Sequence, residues 1–185
     1  MAQVEVQWNV ELPVSLFGDG SAAVKIADAA LLAANQPLCL RFQLQAHASC
    51  EVQLRNDDPA IENAASGGLP PCADGYVCQV SMESGQVLSR LHKVVQGEVV
   101  GTLESAPVPG NVLAGESEPS FWIVVGPGAV IVGVGDMGER VVQGSFDESP
   151  IPVRSVLFHM AGEGSTAQLS SAWIGKLLVR GESSD

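Results

Sequence analysis

Hydrophobic and polar residues alternate along much of this chain with the two-residue period of strands. Val4, Val6, Trp8 and Val10 alternate with Glu5, Gln7, Asn9 and Glu11. Leu38, Leu40, Phe42, Leu44 and Ala46 alternate with Cys39, Arg41, Gln43, Gln45 and His47. A second alternating run through Val52 and Leu54 follows Ala48-Ser49, so the two runs predict a strand pair joined by a tight turn. Residues 76–82 and 87–91 predict a hairpin with Glu83-Ser84-Gly85 at its tip, and residues 99–103 a short strand. The strongest signal is residues 120–135, where two β-branched apolar runs flank Gly126-Pro127-Gly128. Residues 153–160 and 172–179 predict two closing strands on either side of Gly162-Glu163-Gly164.

Two stretches depart from this pattern. In residues 21–35 the alanines favour helix, while Ala22, Val24 and Ile26 alternate as a strand does, and Pro37 ends the segment either way. Residues 56–71 are polar and rich in Gly, Pro, Asn and Ala, and predict a long surface loop. Short strands at regular spacing with Gly and Pro punctuation predict an all-β fold, an antiparallel β-sandwich or jelly roll with at most one short helix near residues 21–35. The expected organisation is one domain. Residues 1–36 supply the N-terminal strand or strands and at most that short helix, packed on the same domain, residues 37–181 the sandwich, and residues 182–185 a tail.

Composition narrows the function. Hydrophobic residues make up 46% and charged residues 16%, with mean hydropathy +0.22, which excludes a disordered chain. So few charges predict an apolar surface covered in part by a partner. The formal net charge of −12 disfavours nucleic acid and anionic membranes as partners. No signal-peptide pattern and no apolar run of about 20 residues is visible, so a soluble protein is expected, its compartment left open. None of the four cysteines forms a Cys-x-x-Cys pair, so zinc is not indicated. All four are read as reduced, Cys39 as a buried thiol, although Cys72 and Cys78 flank a turn that a local disulfide could close.

Few residues suggest catalysis. Gly133-Val134-Gly135-Asp136-Met137-Gly138 fits Gly-x-Gly-x-x-Gly, but a cofactor site needs a helix to open at the third glycine. Gly144, Pro150 and Pro152 deny it one. His47, His92 and His159 are scattered on strand-like runs, and Asp57, Asp58 and Glu62 lack the ordered spacing of a calcium loop. No catalytic, cofactor or metal residue is predicted. Trp8, Trp122 and Trp173 are the large aromatic anchors, and because Phe121 and Trp122 are adjacent they point to opposite faces. An outward tryptophan would give a sugar ring or a partner protein a stacking platform.

Residues 42–54, Tyr76-Val77-Cys78-Gln79-Val80, Val87-Leu88-Ser89-Arg90, Gln96-Gly97-Glu98-Val99-Val100, Phe121-Trp122-Ile123, Val130-Ile131-Val132-Gly133-Val134-Gly135 and Ile151-Pro152-Val153 before Trp173 form a recognisable set. Together they resemble the farnesoic acid O-methyltransferase-like domain, a β-sandwich module. Where that family often has Ile-Gly-Gly and a following Asn, this chain has Val80-Ser81-Met82-Glu83-Ser84-Gly85. The resemblance implies a sandwich; its name implies methyl transfer, for which the residues supply no S-adenosylmethionine loop. The expected function is a non-catalytic interaction module acting as an accessory or structural subunit of a larger assembly, with protein subunits as partners. The alternative is a carbohydrate or small-ligand binding module; an S-adenosylmethionine-dependent methyltransferase ranks last. The candidate binding surface comprises Trp122, Trp173, Tyr76 and Arg90.

Overall fold

The computed structural model describes residues 4–12, 23–27, 38–46, 50–60, 71–83, 86–104, 108–109, 120–126, 129–134, 151–160 and 167–179. Among the described residues there are twelve strands: β1 (Val4–Leu12), β2 (Ala23–Ala27), β3 (Leu38–Ala46), β4 (Cys50–Arg55), β5 (Gly75–Glu83), β6 (Gln86–Val95), β7 (Glu98–Glu104), β8 (Val108–Pro109), β9 (Ser120–Gly126), β10 (Ala129–Val134), β11 (Ser155–Met160) and β12 (Ala167–Val179). They form two antiparallel sheets of a β-sandwich. One has five strands in the order β1-β12-β3-β9-β10. The other has seven, β2-β11-β4-β5-β6-β7, with β8 pairing β6 beyond the end of β7. Among the described residues no helix is long and apolar enough to cross a membrane.

Hairpins read locally form as the turn chemistry dictates. Ala129 pairs Gly126 and Gln86 pairs Glu83, so each connection is a two-residue loop that sets the register of its strands. Gln96 and Gly97 join β6 to β7 with both φ angles positive, 53° and 79°, the geometry of a turn that matches strand twist. Their backbones are tied to the next turn back: Gln96 N donates to Asp74 Oδ1 at 3.0 Å and Gly97 N to Ala73 O at 2.7 Å.

One local expectation fails, and one open reading is resolved. The runs ending at Ala46 and starting at Cys50 do not pair: β3 lies between β12 and β9, while β4 lies between β11 and β5 in the other sheet. Alternation specifies which side chains face inward and is silent on the partner, and here a three-residue connection carries the chain across the sandwich. Residues 23–27, in the stretch that the sequence left open between helix and strand, form β2 and pair β11. Backbone pairing with β11 outweighs alanine propensity there; the rest of residues 21–35 lies outside the described residues. Both N-terminal strands join the two sheets, β1 on β12 and β2 on β11.

Burial explains the two sequence patterns. In β9 Phe121, Trp122, Ile123, Val124 and Val125 are all buried, so the centre of the five-stranded sheet is covered on both faces, which is why that run is continuously apolar. In the seven-stranded sheet β5 and β6 alternate, whereas β4 from Val52 to Arg55 and β11 from Ser155 to Phe158 are buried continuously. Val52, Leu54, Tyr76, Cys78, Val80, Leu91, Val156 and Phe158 are buried, while their neighbours Glu51, Val77, Gln79, Arg90 and His92 are only half-buried.

Candidate functional site

The half-buried face of the seven-stranded sheet carries an extended side-chain hydrogen-bond chain. Register brings it together: His159 pairs Glu51, Glu51 pairs Gln79, Gln79 pairs Arg90, and His92 pairs Thr102. Cross-strand partners share a face, so five strands, β11, β4, β5, β6 and β7, present these groups side by side. Gln79 Nε2 donates to Glu51 Oε1 at 3.1 Å, and Gln53 Nε2 reaches Glu51 Oε2 at 3.5 Å. Gln79 Oε1 lies 3.4 Å from His92 Nε2, and His92 Nδ1 lies 2.8 Å from the Thr102 hydroxyl.

The protons follow from the donor inventory. A carboxylate only accepts, so Gln79 must turn its NH2 toward Glu51 and its carbonyl toward His92. The tautomer that fits both contacts has the His92 proton on Nε2, toward Gln79 Oε1, and Nδ1 accepting from the Thr102 hydroxyl. The result is an ordered array of fixed donors and acceptors on one sheet face, with Glu51 at one end and Thr102, which is exposed, at the other. His159 Nδ1 stands 4.0 Å from Glu51 Oε2, beyond hydrogen-bond reach.

Next to this array Arg55 fixes the end of the sheet. It is 1% exposed and its guanidinium forks onto Asp57, Nε to Oδ1 at 2.6 Å and Nη2 to Oδ2 at 2.8 Å. Nη1 donates to Gln53 Oε1 at 3.0 Å and Nη2 to Pro71 O at 3.1 Å. The hydrogen bond from Arg55, more than its charge, holds the Asp57 carboxyl below the usual carboxylate range. Asp58 pairs Lys25 on β2. Ser155 donates to Asp57 O at 2.6 Å and Arg154 N to Arg55 O at 2.7 Å, so the base of the expected 56–71 loop is pinned to both neighbouring strands.

With this geometry in place, the chain can be set beside known proteins. No family model matches it, and no curated protein matches it by sequence. Solved structures do match. The legume lectin-like domain from Entamoeba histolytica superposes with a TM-score of 0.59 at 12% identity, over 94% of this chain and 88% of that one. The exoplasmic/lumenal domain of VIP36 in its Ca2+/Man3GlcNAc-bound form gives 0.60 at 8% identity, over 98% and 89%. Its metal-free form gives 0.56 at 10%, over 96% and 86%. The fold is a legume lectin-like β-sandwich. The sandwich implied by the farnesoic acid O-methyltransferase-like resemblance is thus present, within a differently named group of structures.

The lectin-like sandwich divides the four residues expected to form a binding surface. Trp122 is 4% exposed, facing Arg41 on β3 and Gly133 on β10, and its buried Nε1 has no hydrogen-bond partner. Tyr76 is buried in the core, where its hydroxyl accepts from Ile151 N at 2.8 Å, and burial pushes its pKa up. Neither ring is open to solvent. Trp173 sits in β12 opposite Arg41 and Glu11, and its side chain lies outside the described residues. Arg90 alone stands on the polar face, in the row of Gln79.

Other candidates distribute as follows. Gly133 and Val134 of the glycine motif belong to β10 and the remainder lies outside the described residues, as do His47 and Glu62. Cys39, Cys72 and Cys78 are buried thiols outside any disulfide, and burial pushes Cys39 and Cys78 up to about 12. Among the described residues no group of three or more His, Cys, Asp or Glu is arranged to hold a metal ion, so the Ca2+ named for VIP36 finds no ligand set in them. Glu51, Gln53, Gln79 and Thr102 were not singled out from the sequence. Their only signal was being the polar members of alternating runs.

Proposed function

We propose that this protein is a non-enzymatic carbohydrate-binding module that recognises glycans on the polar face of its seven-stranded sheet. The reading rests on one observation: the chain Thr102–His92–Gln79–Glu51, backed by the buried Gln53, presents fixed hydrogen-bonding groups across four strands of a lectin-like sandwich. Sugar hydroxyls are both donors and acceptors, and a preorganised set of mixed groups binds them with little ordering cost. Glu51 is the strongest acceptor of the set because it is charged. The VIP36 domain, solved with Man3GlcNAc, supports the same class of ligand. The expected protein partners have less support: among the described residues Val99 and Val100 are the large hydrophobic side chains left exposed, so the low charge content goes mainly into the interior.

A glycan array probed with the wild-type protein and with Glu51→Gln tests the proposal. Binding to a subset of neutral glycans, weakened about tenfold or more in the variant, is the expected result, since a hydrogen bond to a charged group is worth ~1.5–3 kcal/mol. Wild-type binding that the variant retains in full would move the site elsewhere, and no binding to any glycan would end the reading.

A further inference from the structure

The register between β6 and β7 contains one irregularity that bears on ligand choice. Lys93 pairs Gly101 and Val94 pairs Val99, so Val100 is an extra residue on the β7 side. Three positions separate Val99 from Thr102, and in a regular strand that odd spacing would put them on opposite faces. The bulge resets the alternation. Val99 opposes Val94, which lies two residues from His92, so Val99 stands on the same face as the His92–Thr102 pair. Val99 and Val100 are 59% and 58% exposed, in a domain whose other described large apolar side chains are covered. An exposed apolar pair beside an ordered polar array is the arrangement of a site that accepts a ligand with both kinds of surface.

The Thr102 hydroxyl adds the polar half of the argument. Its proton is committed to His92 Nδ1 at 2.8 Å, so what it offers outward is acceptor capacity. A ligand that places an N–H against Thr102 and a methyl group a few ångströms away, over the valines, satisfies both. The acetamido group of an N-acetylated sugar has that layout.

Resting on the carbohydrate reading above, we propose that Val99 and Val100 form an apolar shelf for the methyl group of an N-acetylhexosamine, whose amide N–H donates to Thr102 Oγ1. The sheet array then takes the ring hydroxyls, and discrimination between an N-acetylated sugar and its plain hexose lies in β7.

The test titrates N-acetylglucosamine and glucose separately into the wild-type protein, into Val99→Thr/Val100→Thr, and into Thr102→Val, following amide shifts by NMR, with dispersion of the spectrum reporting the fold. Threonine keeps the β-branch at two exposed positions, so the strand persists. The wild type should prefer N-acetylglucosamine about tenfold, from one buried methyl and one hydrogen bond. The double valine substitution should bring that preference toward parity while leaving glucose binding nearly unchanged, whereas Thr102→Val, which removes a member of the array, should lower the preference and weaken both sugars. Equal wild-type affinities, or a preference that survives the double substitution, would overturn the shelf while the carbohydrate reading stands. If neither sugar nor any glycan on the array binds the wild type, the carbohydrate reading fails and the shelf with it.

Discussion

Asp57→Asn isolates the ion pair that pins the end of the seven-stranded sheet. Arg55 is 1% exposed and directs two hydrogen bonds, at 2.6 and 2.8 Å, to the Asp57 carboxylate. Asparagine keeps one acceptor and turns a donor group toward a guanidinium that can only donate, leaving the buried cation short of a partner. Removing one member of a buried pair costs ~3–5 kcal/mol. The Asp57 side chain is 50% exposed, so water takes over part of its role, and about 2 kcal/mol remains. For a chain of this size that lowers Tm by about 4–8 °C.

The pH dependence carries a sign. Arg55 depresses the Asp57 pKa in the native state, so this stabilisation is complete above the unfolded carboxylate value of ~3.9 and disappears as pH falls through the lower native value. Urea denaturation of both proteins at pH 7 should show the variant less stable, and the gap should close as pH is lowered below about 4. Equal stability at pH 7, or a gap unchanged at pH 3, would refute the reasoning.

Two further outcomes follow from the fold. Gly75 has φ +153°, and a Cβ there would sit 2.2 Å from Leu54 O on the paired strand, so Gly75→Ala should cost at least ~2 kcal/mol by forcing β4 and β5 apart, read as a lowered urea midpoint. Thiol labelling at pH 8 should leave Cys39, Cys72 and Cys78 unmodified in the native protein and modify all three in denaturant, since all are buried with pKa values pushed up by desolvation; rapid native labelling of any of them would contradict the packing described.

What was legible in the sequence was local. The β9–β10 and β5–β6 hairpins carry their pairing in a two-residue turn, and the alternating runs announce an all-β chain. Pairing between distant segments has no such marker. β12 runs between β1 and β3, and β11 between β2 and β4, and nothing in an alternating pattern names those neighbours. For the same reason the polar array was invisible: Glu51, Gln79 and Thr102 meet only once β4, β5, β6 and β7 are aligned. Tryptophan was weighted for its size, yet Trp122 lies in a strand buried on both faces, and the fully apolar run 121–125 was the sign of it. The β7 bulge likewise leaves no mark in the sequence, although it decides which face Val99 occupies.

The central claim is that glycans bind the polar face of the seven-stranded sheet, and side-chain amide NMR tests it most directly. Gln79 places an NH2 group on the half-buried face, where a bound sugar must perturb it, and the buried Gln53 NH2 reaches the same Glu51 carboxylate and reports on it from beneath. Titration with the neutral glycan selected on the array should shift both side-chain amides together with the backbone signals of Glu51, His92 and Thr102. Shifts confined to the five-stranded sheet, with Gln53 and Gln79 unmoved at saturation, would contradict it.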